Sequence, residues 1–114
     1  MVPIILCLVV SCNLFLKTQV AFENATTSYT FTEIKIGTVD VTTPLPPAPA
    51  TASVTAFVPI DPGSYTLFTK GMNGIWYQWP VPQPFDRGYS CLITFRINSE
   101  NYLTYSTYAT MIPP

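Results

Sequence analysis

The chain contains no histidine. The commonest general base and metal ligand is therefore missing. A serine or Cys91 nucleophile would lack its usual proton acceptor. The Asp and Glu residues are scattered, with no pair spaced for acid–base work. The expectation is a protein that is not an enzyme, with no catalytic residue, metal site, cofactor or small-molecule substrate. Charge is also scarce: five Lys and Arg against six Asp and Glu, a net of −1. Nothing here grips nucleic acid or an anionic membrane electrostatically. No stretch shows a helical period, and no apolar run reaches the roughly 20 residues of a bilayer-spanning helix. Cysteine is rare, with three in 114 residues, two of them in the first twelve.

Residues 2–16 are apolar apart from Ser11 and Asn13, and Lys17 ends the run. That length suits the core of a signal peptide. Cleavage after the small Ala21 divides the chain into a 1–21 signal peptide and a 22–114 domain; cleavage after Cys12, with Val10 two positions before it, is the alternative. Val9-Val10-Ser11-Cys12 is similar to a bacterial lipoprotein box, but no basic residue precedes it. Removal of residues 1–21 takes Cys7 and Cys12 with it and leaves Cys91 alone. A small secreted domain often relies on disulfides, whereas this one must hold by packing. Asn24-Ala25-Thr26 is the chain's one N-glycosylation sequon. It lies in a polar stretch just past the expected cleavage site, so Asn24 is the candidate glycan carrier.

What is abundant is β-forming sequence: 14 % aromatic residues, with twelve prolines to punctuate it. Residues 28–36 read as a strand in which Tyr29 and Phe31 face one way and Ile34 and Ile36 the other, which places a bulge near Thr32-Glu33. Residues 39–42 form a short continuation. Pro44-Leu45-Pro46-Pro47-Ala48-Pro49 reads as a stiff surface loop. Residues 53–58 alternate, with Val54, Ala56 and Val58 on one face. Asp61-Pro62-Gly63 makes a turn into Tyr65, whose hydroxyl is placed to bond backbone upstream, the tyrosine corner of immunoglobulin-type sandwiches. Gly71-Met72-Asn73-Gly74 turns a hairpin between 65–70 and 75–79. Pro80, Pro82 and Pro84 punctuate a loop carrying Phe85. Residues 89–97 give the clearest strand, with Tyr89, Cys91, Ile93, Phe95 and Ile97 on one face. Asn98-Ser99-Glu100-Asn101 turns into a last strand, 102–111. About seven short strands predict a single all-β, antiparallel, immunoglobulin-like β-sandwich. Cys91, on the most apolar face, is expected to be a buried free thiol.

In order along the chain, Val20-Ala21-Phe22, Glu33-Ile34-Lys35-Ile36-Gly37 with Pro44-Leu45, Ile60-Asp61-Pro62-Gly63-Ser64-Tyr65-Thr66-Leu67, and Ser99-Glu100-Asn101-Tyr102-Leu103-Thr104-Tyr105 through Ile112 resemble the immunoglobulin-like accessory glycoproteins of coronaviruses, the group encoded by open reading frames eight and seven-a. The resemblance implies a secreted or endoplasmic-reticulum-lumenal viral protein that binds host proteins and modulates the immune response. It departs from that family at its disulfides: Leu67 stands two residues after the corner tyrosine, and Arg96 occupies the late strand. Covalent dimerisation is therefore not carried over.

The physical reading agrees with a binding module. Trp76, Tyr77, Trp79 and Phe85 are the candidate partner-binding residues, because aromatic side chains dominate interface hot spots. On strand alternation, either Trp76 or the Ile75, Tyr77 and Trp79 set must face inward. The alternative function is a structural or membrane-anchored envelope-associated glycoprotein, touching the membrane only through an uncleaved 2–16 segment.

Overall fold

A computed structural model describes residues 18–48 and 53–111. The apolar 2–16 segment and the 112–114 tail lie outside them. Among the described residues there are ten strands: β1 Gln19–Asn24, β2 Phe31–Ile36, β3 Val39–Val41, β4 Val58–Pro59, β5 Gly63–Tyr65, β6 Leu67–Gly71, β7 Trp76–Gln78, β8 Gln83–Phe85, β9 Tyr89–Ile97 and β10 Leu103–Met111. Two four-stranded sheets, ordered β10-β9-β1-β4 and β3-β2-β6-β7, pack face to face, and β5 pairs with β8 in a two-stranded ribbon. The result is an all-β sandwich.

Both inner faces follow from strand alternation. In β9, Cys91, Ile93 and Phe95 turn inward, opposite Val20, Phe22 and Asn24 of β1. The facing sheet contributes Phe31, Ile34 and Ile36 from β2 and Leu67 from β6, all fully or almost fully buried. Phe31 and Phe95 meet across the sheets, with ring centroids 4.4 Å apart. The bulge expected at Thr32-Glu33 is present: the β2–β6 register slips between Phe31 and Glu33. The slip restores Ile34 and Ile36 to the same inner face as Phe31. The Thr32 hydroxyl donates to the carbonyls of Lys70 and Gly71 at 3.2 and 3.1 Å, satisfying the ladder where it breaks.

The tyrosine corner is formed. Tyr65 Oη donates to the Asp61 carbonyl at 2.8 Å. Its ring lies over the β2–β3 turn, where a Cβ added to Gly37 (φ +59°) would sit 3.0 Å from Tyr65 Cδ1. Gly63, at φ +148°, lets the backbone pass close to the hydroxyl. Asp61, Gly63 and Tyr65 thus act together as a structural corner. The hydroxyl–carbonyl bond is open to solvent rather than buried, so water can replace it. Tyr65→Phe should therefore cost only about 1 kcal/mol, read as a lower denaturation midpoint with an unchanged slope.

Four expectations need correction. First, the domain does not begin at Phe22. Gln19, Val20 and Ala21 belong to β1, which lies inside its sheet, paired in parallel with β9 on one side and with β4 on the other. Cleavage after Ala21 would cut that strand in half. Second, Asn24 is 0 % exposed. Its amide nitrogen donates to the carbonyls of Tyr29 (2.6 Å) and Leu45 (3.0 Å). Its oxygen accepts from the Thr26 amide (3.1 Å) and hydroxyl (2.6 Å). The sequon is a buried turn anchor, and a glycan on that nitrogen is incompatible with the fold. Third, the alternating residues 53–58 do not form one continuous strand: Val54 makes an isolated bridge to Glu23. Val54 and Ala56 are exposed, and only Val58–Pro59 pairs as β4. The segment is instead tied to β1 through the Thr55 amide and hydroxyl, which bond the carbonyl and amide of Phe22. Fourth, the proline-rich stretch is anchored: Leu45 is buried and exchanges backbone hydrogen bonds with Phe31.

Candidate partner-binding face

The outer face of the β3-β2-β6-β7 sheet carries the chain's main charge cluster. Pairing sets Glu33, Lys70 and Trp76 in one row across β2, β6 and β7. The next row runs Asp40, Lys35, Phe68, Gln78. The ammonium groups of Lys35 and Lys70 lie 5.1 and 5.0 Å from the Trp76 ring centroid. That distance is within cation–π range. Glu33 bridges both lysines, at 3.7 Å to Lys35 and 3.4 Å to Lys70. Asp40 stands 4.0 Å from Lys35. Desolvation works to raise the Glu33 carboxyl, yet hydrogen bonding with Asp40 and the charges of Lys70 and Lys35 hold it below its ordinary value. Asp40 moves the other way, raised by desolvation and by the neighbouring Glu33. Such exposed pairs contribute little stability. Their effect here is geometric: they gather two ammonium groups beside the indole.

The β6–β7 hairpin extends this face. Its turn closes through the Gly74 amide on the Gly71 carbonyl at 3.0 Å, with Gly74 at φ +75°. The Asn73 side-chain oxygen caps the Ile75 amide. The turn holds Met72 and Ile75 out in solvent beside Trp76 (39 % exposed) and Tyr77 (53 %). The hairpin thus carries four exposed apolar or aromatic side chains along one sheet edge.

Trp76 and Tyr77 are both exposed at the β7 edge, Trp76 on the outer face and Tyr77 on the inner side. Trp79 and Phe85 are not, and their candidacy for partner contact is overturned. Trp79 is 7 % exposed, and its indole N–H donates to Thr69 Oγ1 at 3.1 Å. It stands edge-on to both Tyr77 and Tyr105, each at a centroid distance of 5.0 Å. Phe85 closes the core beneath the corner, 6.0 Å from the Tyr65 ring. Alternation holds in β7: Trp76 pairs with Lys70 on the outer face, while Tyr77 pairs with the buried Thr69 and leans on the inward Trp79, staying exposed because it lies at the open sheet edge. Sequence reading missed Glu33, Lys35, Lys70, Met72 and Ile75. No local signal marks the first three, because their meeting with Trp76 depends on cross-strand register and on the Thr32 bulge.

Cys91 is a buried free thiol in the core. Burial raises its pKa, so it stays protonated at neutral pH. Among the described residues no cluster of His, Cys, Asp or Glu is arranged to hold a metal ion, and no helix is long and apolar enough to cross a membrane. No protein-family model matches the chain, and no curated protein is significantly similar to it.

Proposed function

We propose that this is a binding module rather than an enzyme: a secreted or endoplasmic-reticulum-lumenal viral accessory protein of immunoglobulin-like class. In this reading it binds a host protein through the exposed β7 edge that carries Trp76 and Tyr77, and blunts the host immune response. One observation carries the binding part. Trp76 stands exposed on the outer sheet face with the ammonium groups of Lys35 and Lys70 near its ring, and Tyr77, Met72 and Ile75 are exposed along the same hairpin edge. Aromatic and methionine side chains are enriched where protein interfaces concentrate their energy. The viral and immune-modulating part rests on the resemblance of residues 60–67 and 99–112 to the coronavirus accessory glycoproteins.

The test is affinity capture from host cells with the wild-type protein and with the double variant Trp76→Ala, Tyr77→Ala, read by mass spectrometry. The partner retained by the wild type should be lost by the variant, and its measured affinity should fall at least about tenfold. The melting temperature should move little, because both side chains are substantially exposed. A partner bound equally by both proteins would contradict the assignment of this face.

The alternative of a membrane-anchored glycoprotein gains from one feature: β1 starts at Gln19, so an uncleaved 2–16 segment would hold the sandwich directly against a bilayer. Recovery of the protein in the detergent-soluble membrane fraction, rather than in the lumen or medium, would select that reading.

A further inference from the structure

The four-stranded sheets have edges at β4, β3, β7 and β10. Three of these are protected in the usual ways. β4 is two residues long and contains Pro59. β3 is three residues long with Asp40 at its centre. β7 is three residues long, and Pro80 follows it closely. β10 differs. It runs nine residues, Leu103 to Met111, in unbroken register with β9. It contains no charged residue, proline or glycine. Among the described residues, no backbone hydrogen bond reaches β10 from any segment but β9. The side chains from Ser106 to Met111 are exposed.

We propose that β10 is a homodimerisation edge, pairing antiparallel with β10 of a second copy about a two-fold axis at Thr107. The sequence of the strand selects a second copy as the occupant. A two-fold axis perpendicular to the sheet keeps inner faces with inner faces, so only residues of like parity can oppose each other. Centring the axis on Thr107 pairs all nine residues at once. Leu103 then meets Met111, two apolar side chains. Thr104 meets Thr110, a favourable cross-strand pair. Tyr105 meets Ala109, a large residue against a small one, and Ser106 meets Tyr108. No pair sets like charges opposite each other, and a net charge of −1 per copy leaves little long-range repulsion. The joined sheet would run to eight strands, with the two β10 strands at its centre. Its energy comes from backbone hydrogen bonds over a modest contact, so the dimer should be reversible and dependent on concentration.

The experiment is light scattering coupled to size exclusion on the protein as cells produce it, across the micromolar range. The expected result is a mass that rises from one copy to two with concentration. Thr107→Lys and Thr107→Glu each place like charges face to face at the axis, so each variant alone should stay monomeric. An equimolar mixture of the two should dimerise, because the ammonium introduced in one copy then opposes the carboxylate introduced in the other. A variant-independent readout is amide hydrogen exchange of the wild type: protection of the 103–111 amides should grow with concentration, while that of β7 does not. A wild type that stays monomeric at high micromolar concentration overturns the proposal. So does a dimer that survives Thr107→Lys, or a mixture of charge variants that stays monomeric.

Discussion

A chain that begins at Phe22 will not fold, whereas one that begins at Thr18 will. Deleting residues 18–21 removes the pairing of Gln19, Val20 and Ala21 with Ser90, Cys91 and Leu92, and of Gln19 and Val20 with Pro59 and Val58. It also removes the Thr18 hydroxyl bond to the Asp86 carbonyl at 2.9 Å and the Ile60 amide bond to the Thr18 carbonyl at 3.0 Å. Val20 is wholly buried, and its burial alone contributes about 1.5–3 kcal/mol. Each lost backbone hydrogen bond adds about 1 kcal/mol. The sum approaches the roughly 5–15 kcal/mol that hold a whole domain together. Circular dichroism of the two truncations should show a cooperative β-sheet transition only for the chain that begins at Thr18. On the proposed secretory route, any processing compatible with β1 falls upstream of it, and the junction after Cys12 meets that requirement. N-terminal sequencing of folded secreted protein should find a first residue before Thr18; Phe22 in that position would contradict the role of β1.

Asn24→Ala should destabilise the domain by about 2–4 kcal/mol, because it leaves the buried Thr26 amide without a partner and takes one of their hydrogen bonds from the Tyr29 and Leu45 carbonyls and the Thr26 hydroxyl. These bonds link the end of β1 to the start of β2 and to the proline-rich segment. Asn24→Gln should be nearly as damaging, since the longer side chain cannot reach the same four partners from a fully enclosed site. Both effects are read by chemical denaturation. Enzymatic deglycosylation of secreted wild-type protein should leave its mass unchanged, and a mass shift assigned to Asn24 would refute the buried arrangement.

The sequence disclosed those parts of the fold that are written locally. The phase change around Thr32 announced the bulge, Asp61-Pro62-Gly63 and Tyr65 announced the corner, and Asn73-Gly74 announced the hairpin. Alternation in 89–97 identified Cys91, Ile93 and Phe95 as core. β1 stayed hidden because it is flanked on both sides in its sheet: Val20-Ala21-Phe22 is a continuous apolar run, indistinguishable from the end of a signal peptide. β8 stayed hidden behind Pro84, which a two-stranded ribbon tolerates and a central strand would not. The sequon at Asn24 misled because its pattern is blind to burial. Half of the candidate face was legible, since Trp76 and Tyr77 follow a turn signal. The other half was not: the lysines over the indole come from strands adjacent only in space.

Underlying all of this is a sandwich closed by side-chain packing, with Cys91 sealed inside it and no disulfide among the described residues. The most direct measurement is maleimide labelling of the full chain in native buffer and in denaturant, with the modified cysteines located by peptide mass spectrometry. Cys91 should label only after unfolding, and remain slow in native buffer at mildly alkaline pH because its pKa is raised. The unfolding midpoint should be the same with and without reductant. Rapid native labelling of Cys91, or a midpoint that falls when reductant is added, would contradict the account.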